Sequence, residues 1–378
     1  MPERHSYNID RRSVLKATGA AGLTALAGCT GEGGGEQEEG EVIAAVPPTG
    51  WWAVLRKLAQ DEGYFQQAAD EVGADVTFSF ENTWDDVPTW IANNADIAQF
   101  GALEASRIGP RRDIEITVFG KNTPLNFAPL VQTGGPYDPD NTGGVQQSID
   151  KIVEDGANFA IGSWGGADAT SYDVAFGGTT DYRFEEEGGD FSVVTSGYFT
   201  IGQQVAQGDV EVGSSGEGMG AAPQMMSGDI KPLFWLKDYI PNEVLGEETE
   251  WGFPTMQNLV TRTEFYEENE GAIETYYRAQ EMALQELREN PVEVITRSDE
   301  YIETMGAGSE EEARFIVNYG INLEGTDTLE PPEHASVYES TSMSDEYVEK
   351  QSNFFDRVAE LGLTESNWSE YVQHVQFD

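Results

Sequence analysis

The stretch "EVIAAVPPTGWWAVLRKLAQDEGYFQQAADEVGADVTFSFEN", Glu41–Asn82, carries two periodicities in succession. Val42 to Val46 is a short apolar run of the kind that forms a buried strand. After the turn at Pro47-Pro48-Thr49-Gly50, Trp52, Leu55, Leu58 and Ala59 fall at helical spacing, predicting a helix through "WWAVLRKLAQDEGYFQQAADEV". "ADVTFSFEN" then alternates, as a half-buried strand does. "WDDVPTWIANN" reads as a short helix and "ADIAQFG" as a third strand closed by Gly101. Strands and helices alternating over connections this short imply a parallel α/β sheet.

Further along, the pattern restarts after the turn-rich "TGGPYDPDNTGG", Thr133–Gly144. "NFAIGSWGGADATSYDVAFGG" reads as strand, tight turn, helix, and "FSVVTSGYFTIGQQVAQGDVEVGSSG" as strand, helix, strand. "DIKPLFWLKDY" adds a further strand, and from Gln257 onward the text reads as helical. There is no internal repeat at a fixed period. Two α/β halves and a helical tail fit a folded part, Glu41–Asp378, of about 340 residues.

Working back toward residue 1, the pair Arg11-Arg12 is followed by Ser13-Val14-Leu15-Lys16 and by a small or apolar run, Ala17–Gly28. A charged start, a short apolar core and a small-residue end are the physics of a secretory signal. The run is well short of the ~20 residues that span a bilayer. Arg11 and Arg12 with Val14-Leu15-Lys16 resemble a twin-arginine export signal. Leu26-Ala27-Gly28-Cys29 resembles a lipobox, which implies cleavage before Cys29 and lipid on its sulfur. Cys29 is the sole cysteine, so it has no partner in the chain for a disulfide. "TGEGGGEQEEG" then reads as a flexible tether. The expected organisation therefore begins with a signal at 1–28 and a tether at 29–40.

With 21 basic and 68 acidic residues the net charge is −47. Removing Met1–Gly28 takes four basic and two acidic residues, leaving −49. That sign argues against nucleic acid, whose phosphates require basic surface, and against anionic lipid headgroups. Membrane contact is therefore expected only through the lipid anchor. A 39% hydrophobic and 11% aromatic content argues for packed cores rather than disorder. Few lysines under a dispersed acidic coat resemble proteins from extreme halophiles, where salt screens the repulsion over a few Å.

Beyond Gly28 only His334 and His374 remain as histidines, both expected at the surface. With no second cysteine and no phosphate loop of the G-x-x-x-x-G-K-[ST] type, zinc ligation by Cys/His sets and Cys-His catalysis are disfavoured. No metal, no cofactor and no enzymatic activity are expected. One competing pattern exists: Gly216-Glu217-Gly218-Met219-Gly220-Ala221 fits a loose dinucleotide-binding motif, with Asp238 placed 22 residues beyond Gly216 for a ribose. It supports the alternative of an exported dinucleotide-dependent oxidoreductase. Only about two helical turns follow it, with Pro223 inside.

"LRKLAQDEGYFQQ", an alternating strand and then "WIANNADIAQFGALEA" resemble the opening of solute-binding proteins of ABC importers, in the nitrate/sulfonate/thiamine-precursor family. "GQQVAQGDVEVGSS" resembles that family's second helix-into-strand unit, and "NLVTRTEFYEENEGAIETYYRAQEMALQELRENP" its C-terminal helical pair. The similarity covers roughly Val42 to Pro291. It departs at "SIDKIVEDGANFAIGS" and in the loop tryptophans. The resemblance implies a two-lobed α/β fold of the type II periplasmic-binding-protein-like class with a helical C-terminal tail. It further implies two crossover strands, a first lobe at 41–129 with 236–378, a second lobe at 130–235, a ligand at their interface, an ABC permease as partner, and a monomer at the extracytoplasmic membrane face.

The rule that open α/β sheets bind at strand carboxyl ends points to four loops: Gly50-Trp51-Trp52, Gly101-Ala102, Ser163-Trp164-Gly165 and Ser214-Ser215, with Glu217 nearby. Adjacent residues at a helix start point about 100° apart, so one of Trp51 and Trp52 is expected to face the ligand. Glu217 is expected to face solvent more than ligand in so acidic a chain. These loops hold three tryptophans and no arginine or lysine, and Asp168 follows closely. That composition favours an organic ring or amine over a small inorganic anion.

Overall fold

The computed structural model describes residues 40–164, 166–246 and 254–377. Arg11, Arg12, Cys29 and Gly165 lie outside the described residues.

Eleven strands among the described residues form two sheets. They are β1 (Glu41–Val46), β2 (Thr77–Asn82), β3 (Ile97–Phe100), β4 (Ile116–Pro124), β5 (Ala128–Gln132), β6 (Asn158–Ile161), β7 (Ser192–Thr195), β8 (Val212–Ser215), β9 (Ile230–Pro232), β10 (Thr255–Arg262) and β11 (Val372–His374). The first sheet has the order β11-β4-β10-β3-β1-β2 and the second β7-β6-β8-β5-β9. Within the first, β1 runs parallel to β2 and β3, while β10 is antiparallel to both β3 and β4. In the second, β6 runs parallel to β7 and β8, and β5 is antiparallel to β8 and β9.

The helix read through "WWAVLRKLAQDEGYFQQAADEV" is two helices, Trp51–Asp61 and Tyr64–Val72. Gly63, at φ 74°, takes the left-handed conformation that a side chain would resist. The break turns Phe65 onto Phe78 and Phe80, at ring-centroid distances of 5.1 and 5.2 Å. A second correction concerns "MQNLVTR", where a helical reading from Gln257 gives way to β10. This strand is buried on both faces, so its apolar and polar residues carry no period of two. The strand expected from "DIKPLFWLKDY" is only Ile230–Pro232, and a helix begins at Leu236. β4, β5 and β11 have no counterpart in the sequence reading: every residue of β4 is buried, polar Lys121, Asn122 and Thr123 included, so it carries no period of two, and β11 is only three residues long.

Two connections join the sheets. Leu125–Phe127 links β4 to β5, and the segment after β9 returns to β10. They run side by side: Leu125 N–H donates to Pro254 O at 2.6 Å, and Leu236 N–H to Phe127 O at 2.9 Å. The tail also reaches the second sheet. Phe315 and Tyr319, on the Glu310–Gly320 helix, pack with Leu130, Ala160 and Trp235 against the second sheet. Gly50 N–H also donates to Thr304 O at 2.9 Å, tying the tail to the first helix start. Among the described residues no helix is long and apolar enough to cross a membrane.

Candidate functional site

The carboxyl ends of β1 and β3 face those of β6 and β8 across a cleft of about 490 Å³. That is within the ~300–1,000 Å³ of small-molecule sites. From the first sheet come Trp52, Phe100, Gly101 and Glu104, and from the second Ser163, Asp168 and Tyr198, with Phe127 from the connection between sheets. At the mouth, Trp84 and Phe199 meet edge-on from opposite sides, with ring centroids 6.5 Å apart. They are 51% and 46% exposed, although aromatic side chains of that size are usually buried.

The four loops read from sequence divide. Trp52, Gly101 and Ser163 line the cleft. Trp51 is turned the other way, buried among Val54, Leu55, Leu58 and Met305. Ala102 is buried in the main core. Trp164 packs its ring on Phe184, with centroids 5.6 Å apart. Ser214 stands behind the wall and donates to Asp168 Oδ2 at 2.5 Å. Ser215 donates to Met219 O at 3.1 Å, tying down the next turn.

Glu217 does not face solvent. It is 1% exposed, because the Glu217–Ala221 turn carries it inward, where it accepts from Ser336 Oγ. Lys237, fully buried, donates to the same Ser336 Oγ at 3.1 Å. An acid and a lysine thus share one serine where the Glu217–Ala221 turn meets the tail. Spacing alone gave no signal of it, since the three residues come from distant segments.

The competing glycine motif is also explained locally. Gly220 has φ +79°, and a Cβ there would collide with Phe199 O. A Cβ on Gly218 would lie 2.7 Å from the Met305 side chain. Protein atoms therefore occupy the space that the glycines leave, and the helix that follows is only Ala222–Met226. Asp238, the ribose candidate, accepts from Glu333 N–H, His334 N–H and His334 Nδ1 at 3.0, 3.2 and 2.8 Å. This trio brings possible metal-ligand atoms within 4.8 Å of one another. Its hydrogen bonds account for it as a loop fastening.

The histidines are not free surface groups. His374 packs on Phe355 and bonds Gln351 through Nε2 at 2.7 Å, and burial lowers its pKa to about 4. His334 is 13% exposed against Asp238.

Electrostatically the cleft is acidic. Asp86, Glu104 and Asp168 line it, and among the described residues lining it there is no lysine or arginine. Burial pushes Asp86 up to about 8 and Glu104 up to about 7, the latter partly offset by Arg107 and by the Gly101 and Glu104 peptide N–H groups. Asp168 is raised by burial against the lowering pull of Ser214 and Tyr198. Tyr198 donates to Asp168 Oδ1 at 2.7 Å, and burial pushes its hydroxyl pKa far up. Asp86 and Glu104 were not named as candidates from sequence. Their one signal is an acidic residue early in a helix that follows a strand.

Two sheets joined by paired connections around a cleft define the periplasmic-binding-protein fold, and comparison with solved structures agrees. The chain is similar to the alkanesulfonate-binding protein SsuA from Xanthomonas axonopodis pv. citri bound to MOPS, at 11% identity and TM-score 0.58, over 89% of this chain and 99% of that one. It is similar to the periplasmic aliphatic sulphonate binding protein SsuA from Escherichia coli, at 12% identity and TM-score 0.58, over 90% and 94%. It is also similar to the periplasmic nitrate-binding protein NrtA from Synechocystis PCC 6803, at 14% identity and TM-score 0.60, over 89% and 86%. These TM-scores show a shared fold. No family model and no curated protein matches the sequence.

Proposed function

We propose that the chain is an extracytoplasmic solute-binding lipoprotein that captures a small organic solute between its two lobes and delivers it to an ABC permease, without making or breaking a bond. The observation that carries this reading is the cleft itself. Its walls come from two sheets between which the chain passes by two connections, and opening and closing around those connections would admit and bury a ligand. The similar structures are binding proteins for sulfonates and nitrate, which supports solute capture as the class of activity. The Arg11-Arg12 signal and Cys29 support export and anchoring in front of a permease.

A thermal-shift screen of amines, pyrimidines, carboxylates, sulfonates and nitrate in molar KCl tests the reading. A ligand at a hundred times its Kd is expected to stabilise the chain by about 2.7 kcal/mol, with no turnover. Consumption of a ligand, or a bound chromophore, would favour the oxidoreductase instead. Anchoring is tested separately. Cys29→Ser is expected to move the protein from the membrane to the soluble fraction with an unchanged melting temperature.

A further inference from the structure

The amino end of a helix, with unpaired N–H groups and the positive end of its dipole, is a natural seat for an anion. Four helices of ten or more residues begin among the cleft-lining residues; Trp51–Asp61 and Tyr198–Gln207 have no acid in their first turn, whereas Ala102–Arg112 after β3 and Ala167–Thr179 after β6 do. Each of the latter two is preceded by a glycine in extended conformation that offers no capping side chain, Gly101 and Gly166. In both cases the chain covers its own helix start. A Cβ on Gly101 would lie 2.5 Å from Glu104 Oε2, and one on Gly166 would lie 2.6 Å from Asp168 Oδ1. The two first-turn carboxylates therefore lie over the glycines, where an incoming anion would otherwise approach the N–H groups.

An independent observation concerns hydrogen-bonding capacity. Around the cleft, three buried acceptors have no partner: Glu104 Oε2, Gln99 Oε1 and Gln257 Oε1. Gln99 is fully buried and Gln257 is 7% exposed. One lining donor is in the same position, Trp52 Nε1. A buried acceptor left unpaired costs ~1–3 kcal/mol, so a ligand that supplies donors gains what the empty cleft lacks. Aromatic faces of Trp52, Phe100, Phe127 and Tyr198 complete the walls.

We propose that the cleft selects an organic cation carrying N–H donors, such as a protonated amine or an amidinium, and rejects small anions because Glu104 and Asp168 cover two of the helix starts there and, among the described residues, no lysine or arginine lines it. This deepens the solute-capture reading and rests on it. A ring without charge leaves the carboxylates uncompensated. A quaternary ammonium compensates the charge and leaves the acceptors unpaired.

The test uses the protein without its signal, in molar KCl, with benzamidinium, benzylammonium, benzyltrimethylammonium, benzenesulfonate and nitrate as probes. Binding is followed by tryptophan fluorescence and thermal shift. Benzamidinium or benzylammonium is expected to bind saturably, with benzyltrimethylammonium at least about tenfold weaker and no saturation by either anion. Glu104→Gln with Asp168→Asn is expected to weaken benzamidinium about tenfold or more and to admit benzenesulfonate. The wild-type panel decides even if that double variant fails to fold. Saturation by benzenesulfonate or nitrate, or equal affinity for benzylammonium and its trimethyl analogue, overturns the selection rule and leaves solute capture standing. No stabilisation by any probe or by the wider solute screen overturns both.

Discussion

At the scale of single residues the cleft is governed by carboxylates whose charge is conditional. Burial raises Glu104 to about 7, with Arg107 on its own helix opposing and Asp168 facing it from the other lobe, while Asp86 and Tyr198 also face it. A bound cation favours the ionised form, so its affinity is expected to rise with pH and level off above about pH 8. Below about pH 7 the loss is at most about tenfold per pH unit for each group that must ionise. Titrating benzamidinium across this range checks it, and Glu104→Gln is expected to flatten the slope near neutrality. If the acids worked as neutral donors, affinity would fall as pH rises. Stability runs the other way from affinity. A carboxyl raised in the folded state contributes stability that is fully present below its unfolded pKa and lost as pH rises through the folded one. Glu104→Gln is therefore expected to stabilise the empty protein at pH 8, by on the order of 1–3 kcal/mol in urea unfolding. Trp51 and Trp52 are neighbours with separate tasks. Trp52→Phe is expected to abolish most of the fluorescence response to ligand, and Trp51→Phe to leave it intact.

At the scale of elements, the turn Glu217–Ala221 is where local geometry is most constrained. Gly220 lies at φ +79° with Phe199 O against it, so Gly220→Ala meets both backbone strain and a collision. It is expected to cost ~1–3 kcal/mol by urea unfolding. The buried arrangement of Lys237, Ser336 and Glu217 fixes this turn to the tail. Lys237→Ala leaves a buried acid without its cation and is expected to cost ~3–5 kcal/mol. Adding Glu217→Gln is expected to recover a measurable part, since the uncompensated charge is then gone. Two single losses that simply add would show that the lysine and the acid are not coupled.

At the scale of the molecule, Trp84 and Phe199 form an aromatic contact across the cleft mouth between residues of the two halves. Aromatic pairs contribute ~0.5–1.5 kcal/mol beyond burial, so Trp84→Ala is expected to raise a ligand's Kd about twofold to tenfold. Stopped-flow fluorescence would place the loss in faster dissociation. The charge of −47 acts on the whole chain. Moving from molar KCl to low salt lengthens the screening distance from about 3 Å to 30 Å. A lowered melting temperature at low salt, reversed by KCl, is the expected outcome.

Read by itself, the sequence determined the α/β class, the alternation of strand and helix from β1 to β3, the restart at Asn158, and the acidity of the chain. These follow from local periodicity, which a strand with one wet face or a surface helix must display. It also placed Gly101, Ser163 and one of Trp51 and Trp52 in loops at strand ends, and the structure puts Gly101, Ser163 and Trp52 in the cleft lining. What only the tertiary structure decided is where polar residues are buried within strands, and whatever is assembled from distant segments. β4 and β10 show no alternation because both faces are covered. The inward turn of Glu217 depends on Ser336 and Lys237, far away in the chain. The overlay of Glu104 and Asp168 on their own helix starts depends on side-chain placement that no spacing rule encodes. A carboxylate early in a helix reads as routine capping. It becomes selective only when two such helices point into one enclosed cleft.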